Sequence, residues 1–253
     1  MAEPKPESKP GAKVILELSG VTVESDPAYD SPLWNVSLRL GAGELALVRL
    51  ERGAVRLPLA DVAGGLVEQY DGSATFLGRE WRSVPAGEGA ALRGRIGRVF
   101  DAVGAGGTGW VSHLDVDENV TLAQRHHTRR PSAEIEAEAA KLARMFGLPG
   151  LPRGRPAQTR VPDLQRASCV RAFLGTPDLV LLERPAHGVY PEAMAPLINA
   201  VRSARARGAA VVWLTDNPGV WADRGIRPTW RCVMSGSQML VMPPEENAAP
   251  AAP

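Results

Sequence analysis

Two stretches near the N-terminus, KVILELSGVTVE (residues 13–24) and LWNVSLRL (33–40), alternate apolar and polar side chains. That period of two predicts antiparallel strands with one buried and one wet face. GELALVRL (43–50) is more continuously apolar and suits a buried strand, while SATFLG (73–78) and GRIGRVFDAV (94–103) read as further strands. From residue 132 to 146 the period becomes helical, with an apolar stripe of Ile135, Ala139, Leu142, Ala143 and Phe146. Ser132 is placed to cap this helix, Glu134 and Glu136 suit the positive end of its dipole, and Gly147 stops it. A second helix is predicted to start at Asp163 and run to about Phe173, feeding an apolar strand over 179–182. A third spans 191–207, ends at Gly208 and leads into AAVVWLTD (209–216), another central strand. RCVMSGSQMLVM (231–242) predicts a hairpin around Ser235-Gly236. Alternating helices and apolar strands in the second half define an α/β fold whose mostly parallel sheet is covered on both faces.

Composition removes several functions. Lys and Arg number 29 against 28 acids, a net charge of +1, so no basic footprint exists for nucleic acid or an anionic membrane. Cys169 and Cys232 lie far apart inside apolar runs and read as reduced core thiols. No apolar run approaches the roughly 20 residues that span a bilayer, and the first residues, MAEPKPESKPGA, lack the apolar segment of a signal peptide. The expected location is therefore cytoplasmic, with any membrane association made through a partner. Residues 1–12 and 243–253 have the composition of disordered tails around one folded unit, 13–242.

The order and spacing of these pieces resemble the nucleotide-binding subunit of ABC transporters over nearly the whole folded region. QRASCVRAFLGTPDLVLLERP (165–185) is similar to that family's run from the end of the signature helix through the Walker B strand. HLDVDENV (113–120) resembles the segment after the Q-loop, GAGELALV the strand entering the phosphate loop, and AGGL (63–66) the end of the helix after it. The stretch between Q-loop and signature is most similar to the lipid-transport ATPases of MCE-type systems. The resemblance implies a P-loop NTPase-like sheet core, an antiparallel β subdomain and a helical insertion over about 102–162. ATP and magnesium are implied by the family alone.

The residues at the family's chemical positions do not suit that chemistry. A GxxxxGK(S/T) loop needs glycines so that backbone N–H groups approach the phosphates, a lysine for the terminal oxygens and a hydroxyl for magnesium. Aligned without gaps, this chain has RLERGAVRL, in which Arg49 replaces the leading glycine, Ala54 the later glycine, Val55 the lysine and Arg56 the hydroxyl. Only Gly53 keeps the loop supple, Glu51 adds negative charge, and Arg49, Arg52 and Arg56 fill the cradle ahead of Leu57. At the end of the Walker B strand stand Glu183, where the family holds magnesium, and Arg184, where it activates water. A guanidinium has no acceptor lone pair and stays protonated, so Arg184 is no base; it is expected to be a surface arginine paired with a nearby carboxylate. At the signature position, Arg160, Val161, Pro162 and Asp163 replace the turn whose amides grip phosphate, with Asp163 expected to cap the helix through its own carboxylate. The Q-loop glutamine corresponds to Asp101, the switch histidine to Asp216 and the D-loop aspartate to Tyr190. Ser25 occupies the position that stacks on adenine, with Tyr29 close enough to reach.

Other motifs carry less. GAGGTG (104–109) satisfies GxGxxG, but WVSHLDVDENV after it shows no helical stripe, so a glycine loop is expected. His126 and His127 are adjacent and should diverge on any helix, and with no cysteine near they hold no metal. Ser168 lacks a paired histidine, and RSARARG (202–208) reads as a solvated basic face at a helix end. The resemblance thus implies an ATP-binding-subunit homologue without hydrolysis, binding no cofactor and docked on a membrane permease through a coupling-helix groove near Asp101 and the insertion, or paired with itself or another ABC ATPase. Each composite site of such a pair joins one subunit's phosphate loop to the other's signature. A chain altered in both completes neither, which favours an adaptor over a half-active transporter. The rival readings are a weakly active ATPase, a stand-alone module that binds another anion at the arginine-rich loop, and an unrelated α/β enzyme, for which no nucleophile–base pair is found.

Overall fold

The computed structural model of the chain describes residues 13–51, 56–101 and 109–242. The two tail segments, positions 52–55 of the loop aligned to the phosphate loop, and 104–108 of the glycine-rich stretch lie outside the described residues.

Strands β1 (Val14–Val23) and β2 (Leu33–Gly41) pair antiparallel, and with β4 (Asp71–Phe76) and β5 (Arg79–Glu80) they form a sheet in the order β2-β1-β4-β5. The second sheet combines β3 (Leu45–Leu50), β6 (Ile96–Val99), β7 (Leu179–Glu183), β8 (Ala210–Thr215), β9 (Trp230–Ser235) and β10 (Gln238–Met242) in the order β10-β9-β3-β8-β7-β6. Its ladder is parallel from β9 to β6, and the predicted β9–β10 hairpin supplies the one antiparallel pair. Side chains alternate across these strands with period two. Leu45, Leu47, Val180, Leu182, Val211 and Trp213 enter a core covered by helices, whereas Ala46, Val48, Leu179, Leu181, Val212 and Leu214 pack toward the antiparallel sheet. Both faces being buried explains why these strands read as continuous apolar runs.

The helices are α1 (Leu59–Ala63), α2 (Ala86–Arg93), α3 (Val116–His127), α4 (Ser132–Met145), α5 (Val161–Phe173), α6 (Met194–Ala206) and α7 (Pro218–Ala222). The fifth begins two residues before the predicted start, because Pro162 falls in the first turn, where no backbone N–H is needed. Arg160, not Asp163, is its N-cap; Asp163 pairs instead with Arg160 at 2.8 Å and Arg166 at 3.7 Å. Ser132 is the first residue of α4 and Pro131 its cap; α6 starts at Met194, later than Pro191.

The third helix is the main element that the hydrophobic pattern missed. Only Val116 and Val120 give it buried aliphatic side chains; Asn119, Thr121 and Gln124 are buried too. Asn119 Nδ2 donates to the carbonyls of Val111, Leu114 and Asp115 within 3.1 Å, and Thr121 Oγ donates to that of Asp117 at 2.9 Å. A polar face satisfied by backbone can be buried without an apolar stripe. Asp115 and Glu118 form a capping box at its start, a signal present in the sequence. At its other end the His126 and His127 rings meet edge-on with centroids 4.7 Å apart, because the imidazoles fold toward each other rather than diverging. One glycine sets how closely α5 lies on the sheet edge: a Cβ on Gly97 of β6 would meet the Ala172 carbonyl oxygen at 1.8 Å.

Cys169 and Cys232 are buried free thiols on opposite faces of the large sheet, each pushed up to about 12 by burial. Among the described residues no helix is long and apolar enough to cross a membrane.

Candidate functional site

Parallel strands bring their carboxyl ends to one edge, the edge at which open α/β sheets bind ligands. Here β3 ends with Arg49 and Leu50, β6 leads to Asp101, β7 ends at Glu183-Arg184 and β8 leads to Asp216. The sequence separates these positions widely, and the fold assembles them.

Arg184 is the centre of the assembly. It is 7 % exposed, so the expectation of a surface arginine is corrected: the residue is buried, and its carboxylate partners lie within the fold. Its Nε donates to Asp101 Oδ1 at 3.0 Å, Nη2 makes a second contact with Asp101 Oδ2, and Nη1 donates to Asp216 Oδ2 at 3.1 Å. The bidentate geometry with Asp101 suits a planar guanidinium and excludes a lysine equivalent. Desolvation alone would lower the pKa of Arg184, but the hydrogen bonds and charges of Asp101 and then Asp216 outweigh it and raise it. The backbone here is left-handed, φ 47°, a conformation that costs a non-glycine residue roughly 1 kcal/mol or more; the N–H bond to the Leu214 carbonyl at 3.0 Å and the two ion pairs hold it.

Glu183 belongs to a second set. Arg98, reaching from β6, donates to Glu183 Oε1 at 2.6 Å and to Asp61 Oδ1 of α1 at 2.7 Å; Asp61 Oδ2 accepts from the Tyr29 hydroxyl at 2.9 Å. Burial raises the pKa of Glu183 by more than Arg98 pulls it down. Tyr29 is raised as well, by burial and by its bond to Asp61. The Tyr29 ring also lies under Arg56, whose Cζ is 5.3 Å from its centroid, so both the hydroxyl and one face are engaged within the protein.

The flanking positions are likewise committed to neighbours. Arg49 lies over the Trp221 ring at 5.1 Å, with Arg231 over the same ring at 4.8 Å. Glu51 accepts from Ser235 Oγ at 2.8 Å, the Arg56 amide donates to Asp30 Oδ2 at 2.7 Å, and Leu57 is buried. Arg52, Gly53, Ala54 and Val55 lie outside the described residues. Arg160 and Val161 stand exposed at the start of α5. The sequence did not single out Arg98 or Asp61, because their partners are 85 and 37 residues away.

A cavity of about 570 Å³ opens beside this edge, between β6, α3 and the segment after α1, with Arg93, Arg98 and Arg171 among its lining residues.

Comparison with known proteins fits this architecture. No family model matches the chain. It is 27 % identical over 210 residues to the macrolide export ATP-binding/permease protein MacB of Burkholderia cenocepacia (strain HI2424), covering 81 % of this chain and 30 % of that protein. It is 26 % identical over 215 residues to the probable syringafactin export ATP-binding/permease protein SyfD of Pseudomonas syringae pv. syringae (strain B728a), covering 83 % and 32 %. The chain thus spans about a third of the length of these curated relatives. Among solved structures, an ATP-binding subunit of an ABC transporter superposes with a TM-score of 0.71 at 21 % identity, over 88 % of this chain and 87 % of that one. A dimeric bacterial ABC transporter cassette gives 0.74 at 18 % identity, over 88 % and 96 %. The fold is that of an ABC-type nucleotide-binding domain, and the chain is similar to about a third of the length of export ATP-binding/permease proteins.

Proposed function

We propose that the chain is an ABC-type nucleotide-binding domain without ATP hydrolysis, acting as a non-catalytic subunit or adaptor docked on a membrane permease at the cytoplasmic face. One observation carries this reading: Arg184 holds both Asp101 and Asp216. The family resemblance puts the catalytic base, the magnesium-sensing glutamine and the switch histidine at these three positions. Their side chains close on one another, and a guanidinium that donates to two carboxylates activates no water. Glu183, at the magnesium-holding position, is engaged by Arg98, so the acidic set does not fit a hydrated magnesium ion. The substitutions in the loop over 49–57 and at 160–163 support the same reading, since Val55 offers no cation and Pro162 no amide.

A permease seat near Asp101 and the insertion is part of this proposal, and the cavity lined by Phe100, Gly109 and Leu122 supports it. The cargo follows the resemblance of the insertion to the lipid-transport ATPases of MCE-type systems. The relatives' names instead concern export of a macrolide and of syringafactin. Adjacent genes encoding a permease and an MCE-type protein are the expected finding, and an export permease in their place selects the export reading.

Calorimetric titration of the full chain with Mg-ATP tests the central claim. The expected result is no binding heat and phosphate release at the buffer rate; micromolar binding with turnover overturns it in favour of a weakly active ATPase. A thermal-shift screen with phosphate and sulfate addresses the anion-binding alternative, and no shift is expected.

A further inference from the structure

Two aromatic rings on the solvent face of the antiparallel sheet stand without a partner. Leu33 and Val36 of β2 are both buried, and the register shifts between them; with Asn35 at φ 50°, this bulge turns Trp34 and Asn35 outward together. The Asn35 N–H donates to Thr22 Oγ of β1 at 3.2 Å. On the other side of β1, the Tyr70 N–H donates to the Thr22 carbonyl at 2.7 Å, and Asp71 pairs with Thr22 in the ladder. Neighbouring strands lie about 4.8 Å apart, so Trp34 and Tyr70 are rooted roughly 10 Å apart with Thr22 between them. With Thr22, Asn35 and Asp71 they line a cavity of about 290 Å³, and they are 61 % and 71 % exposed.

Elsewhere the chain lays its own cations on partly exposed rings: Arg56 on Tyr29, Arg93 on Trp81, and Arg49 and Arg231 on Trp221. Among the described residues no guanidinium and no second ring lies against Trp34 or Tyr70. The charge at the cavity is negative. Asp71 is the charged residue of its described lining; Oδ1 accepts from the Gly72 N–H at 2.7 Å, and Asp71 makes no ion pair among the described residues. Arg82 is tied to its own neighbours, donating to the Gln69 and Tyr70 carbonyls and pairing with Glu68 at 3.3 Å. Two free π faces beside a carboxylate attract a cation. A primary ammonium or a guanidinium brings several N–H groups that need acceptors, and Thr22 Oγ, already bonded to Asn35, and one carboxylate do not supply them. A fully methylated ammonium has no N–H to satisfy and presents its methyl groups to ring faces.

We propose that this cavity binds a quaternary ammonium group, on a small solute or on a lipid head, between Trp34 and Tyr70 with Asp71 as its counter-ion. None of these residues belongs to the assembly around Arg184 and Arg98, so the proposal is independent of the reading above.

Titration of the full chain with choline, followed by the amide NMR signals of Thr22 and Asn35, tests it. The expected result is a saturable shift with a millimolar dissociation constant, about tenfold tighter than for 3,3-dimethylbutanol, the uncharged isostere of choline. Tyr70→Leu, which keeps an apolar side chain and removes the π face, should weaken choline binding about fivefold or more, and Trp34→Leu should do the same on the facing ring. Trp34→Phe should retain most of the affinity, and Asp71→Asn should lose about threefold. Vesicles of phosphatidylcholine that sediment the chain where phosphatidylethanolamine vesicles do not would place the group on a lipid; choline shifts without that difference would place it on a free solute. Equal affinity for the isostere, an affinity unmoved by both leucine variants, or methyl glucoside shifting these signals at lower concentration than choline overturns the proposal. So does the absence of a shift at about 100 mM choline, far above a millimolar constant.

Discussion

Arginines occupy two neighbouring places in this domain and are treated oppositely. At the carboxyl edge of the large sheet, Arg98 and Arg184 meet Glu183, Asp61, Asp101 and Asp216, all drawn from within the chain. In the cavity on the flank of β6, Arg171 is packed between aromatic rings with one nitrogen unpartnered and, among the described residues, no carboxylate against it. A buried guanidinium with internal acids stabilises the apo fold and is closed to outside anions, while one without them leaves the apo fold less satisfied and open to a ligand. The contrast locates where the molecule has finished its own electrostatics and where it has not.

Removing the charges should expose that difference directly. Arg98→Met strands two largely buried carboxylates, and chemical denaturation should show a loss of about 3–5 kcal/mol, the largest effect of the set. Arg184→Met should cost less, about 2 kcal/mol, because Asp216 is 45 % exposed and water takes over its hydration once the guanidinium has gone. Changing Arg184 to Glu, which restores an acid at the base position, should lower stability at least as much by setting three carboxylates together, and phosphate release should stay at the buffer rate. Arg171→Met, by contrast, should fall within about 1 kcal/mol of the parent or gain slightly, since the side chain it removes leaves a donor unmet. A loss from Arg171→Met equal to that from Arg98→Met would break the comparison.

The smallest effect is a pH slope. The folded pKa of Glu183 is raised above its unfolded value, chiefly by burial, so the native state binds its proton more readily than the unfolded chain does. Stability from this group is then greatest below the unfolded pKa and declines as pH rises through the folded one. Glu183→Gln should flatten that decline in melting temperatures measured across the mildly acidic range, and an unchanged profile would remove Glu183 as its source.

Much of the scaffold was readable in advance because the core strands have both faces buried. Leu45–Leu50, Leu179–Glu183 and Ala210–Thr215 contain the apolar runs that the sequence pattern located, and the hairpin at Ser235-Gly236 followed from its turn residues. The α3 helix escaped because its buried face is built from Asn119, Thr121 and Gln124, whose partners are backbone atoms that a hydropathy pattern does not register. At the site, the sequence reading placed Arg184 where a base cannot be and assigned it a carboxylate partner. It misjudged the burial, since exposure depends on what packs around a residue rather than on its type.

Residue identities alone settled the protonation chemistry: an arginine at 184, a valine at 55 and a proline at 162 have fixed donor and acceptor capacities in any fold. Only the tertiary structure decided which charges meet. Asp101 and Asp216 lie 83 and 32 residues from Arg184, and parallel strand order brings all three to one edge. Among the described residues, the same packing sets no acid against Arg171. Pairing falls off steeply with distance and rises with burial, and both are set by how the elements pack, not by their order along the chain.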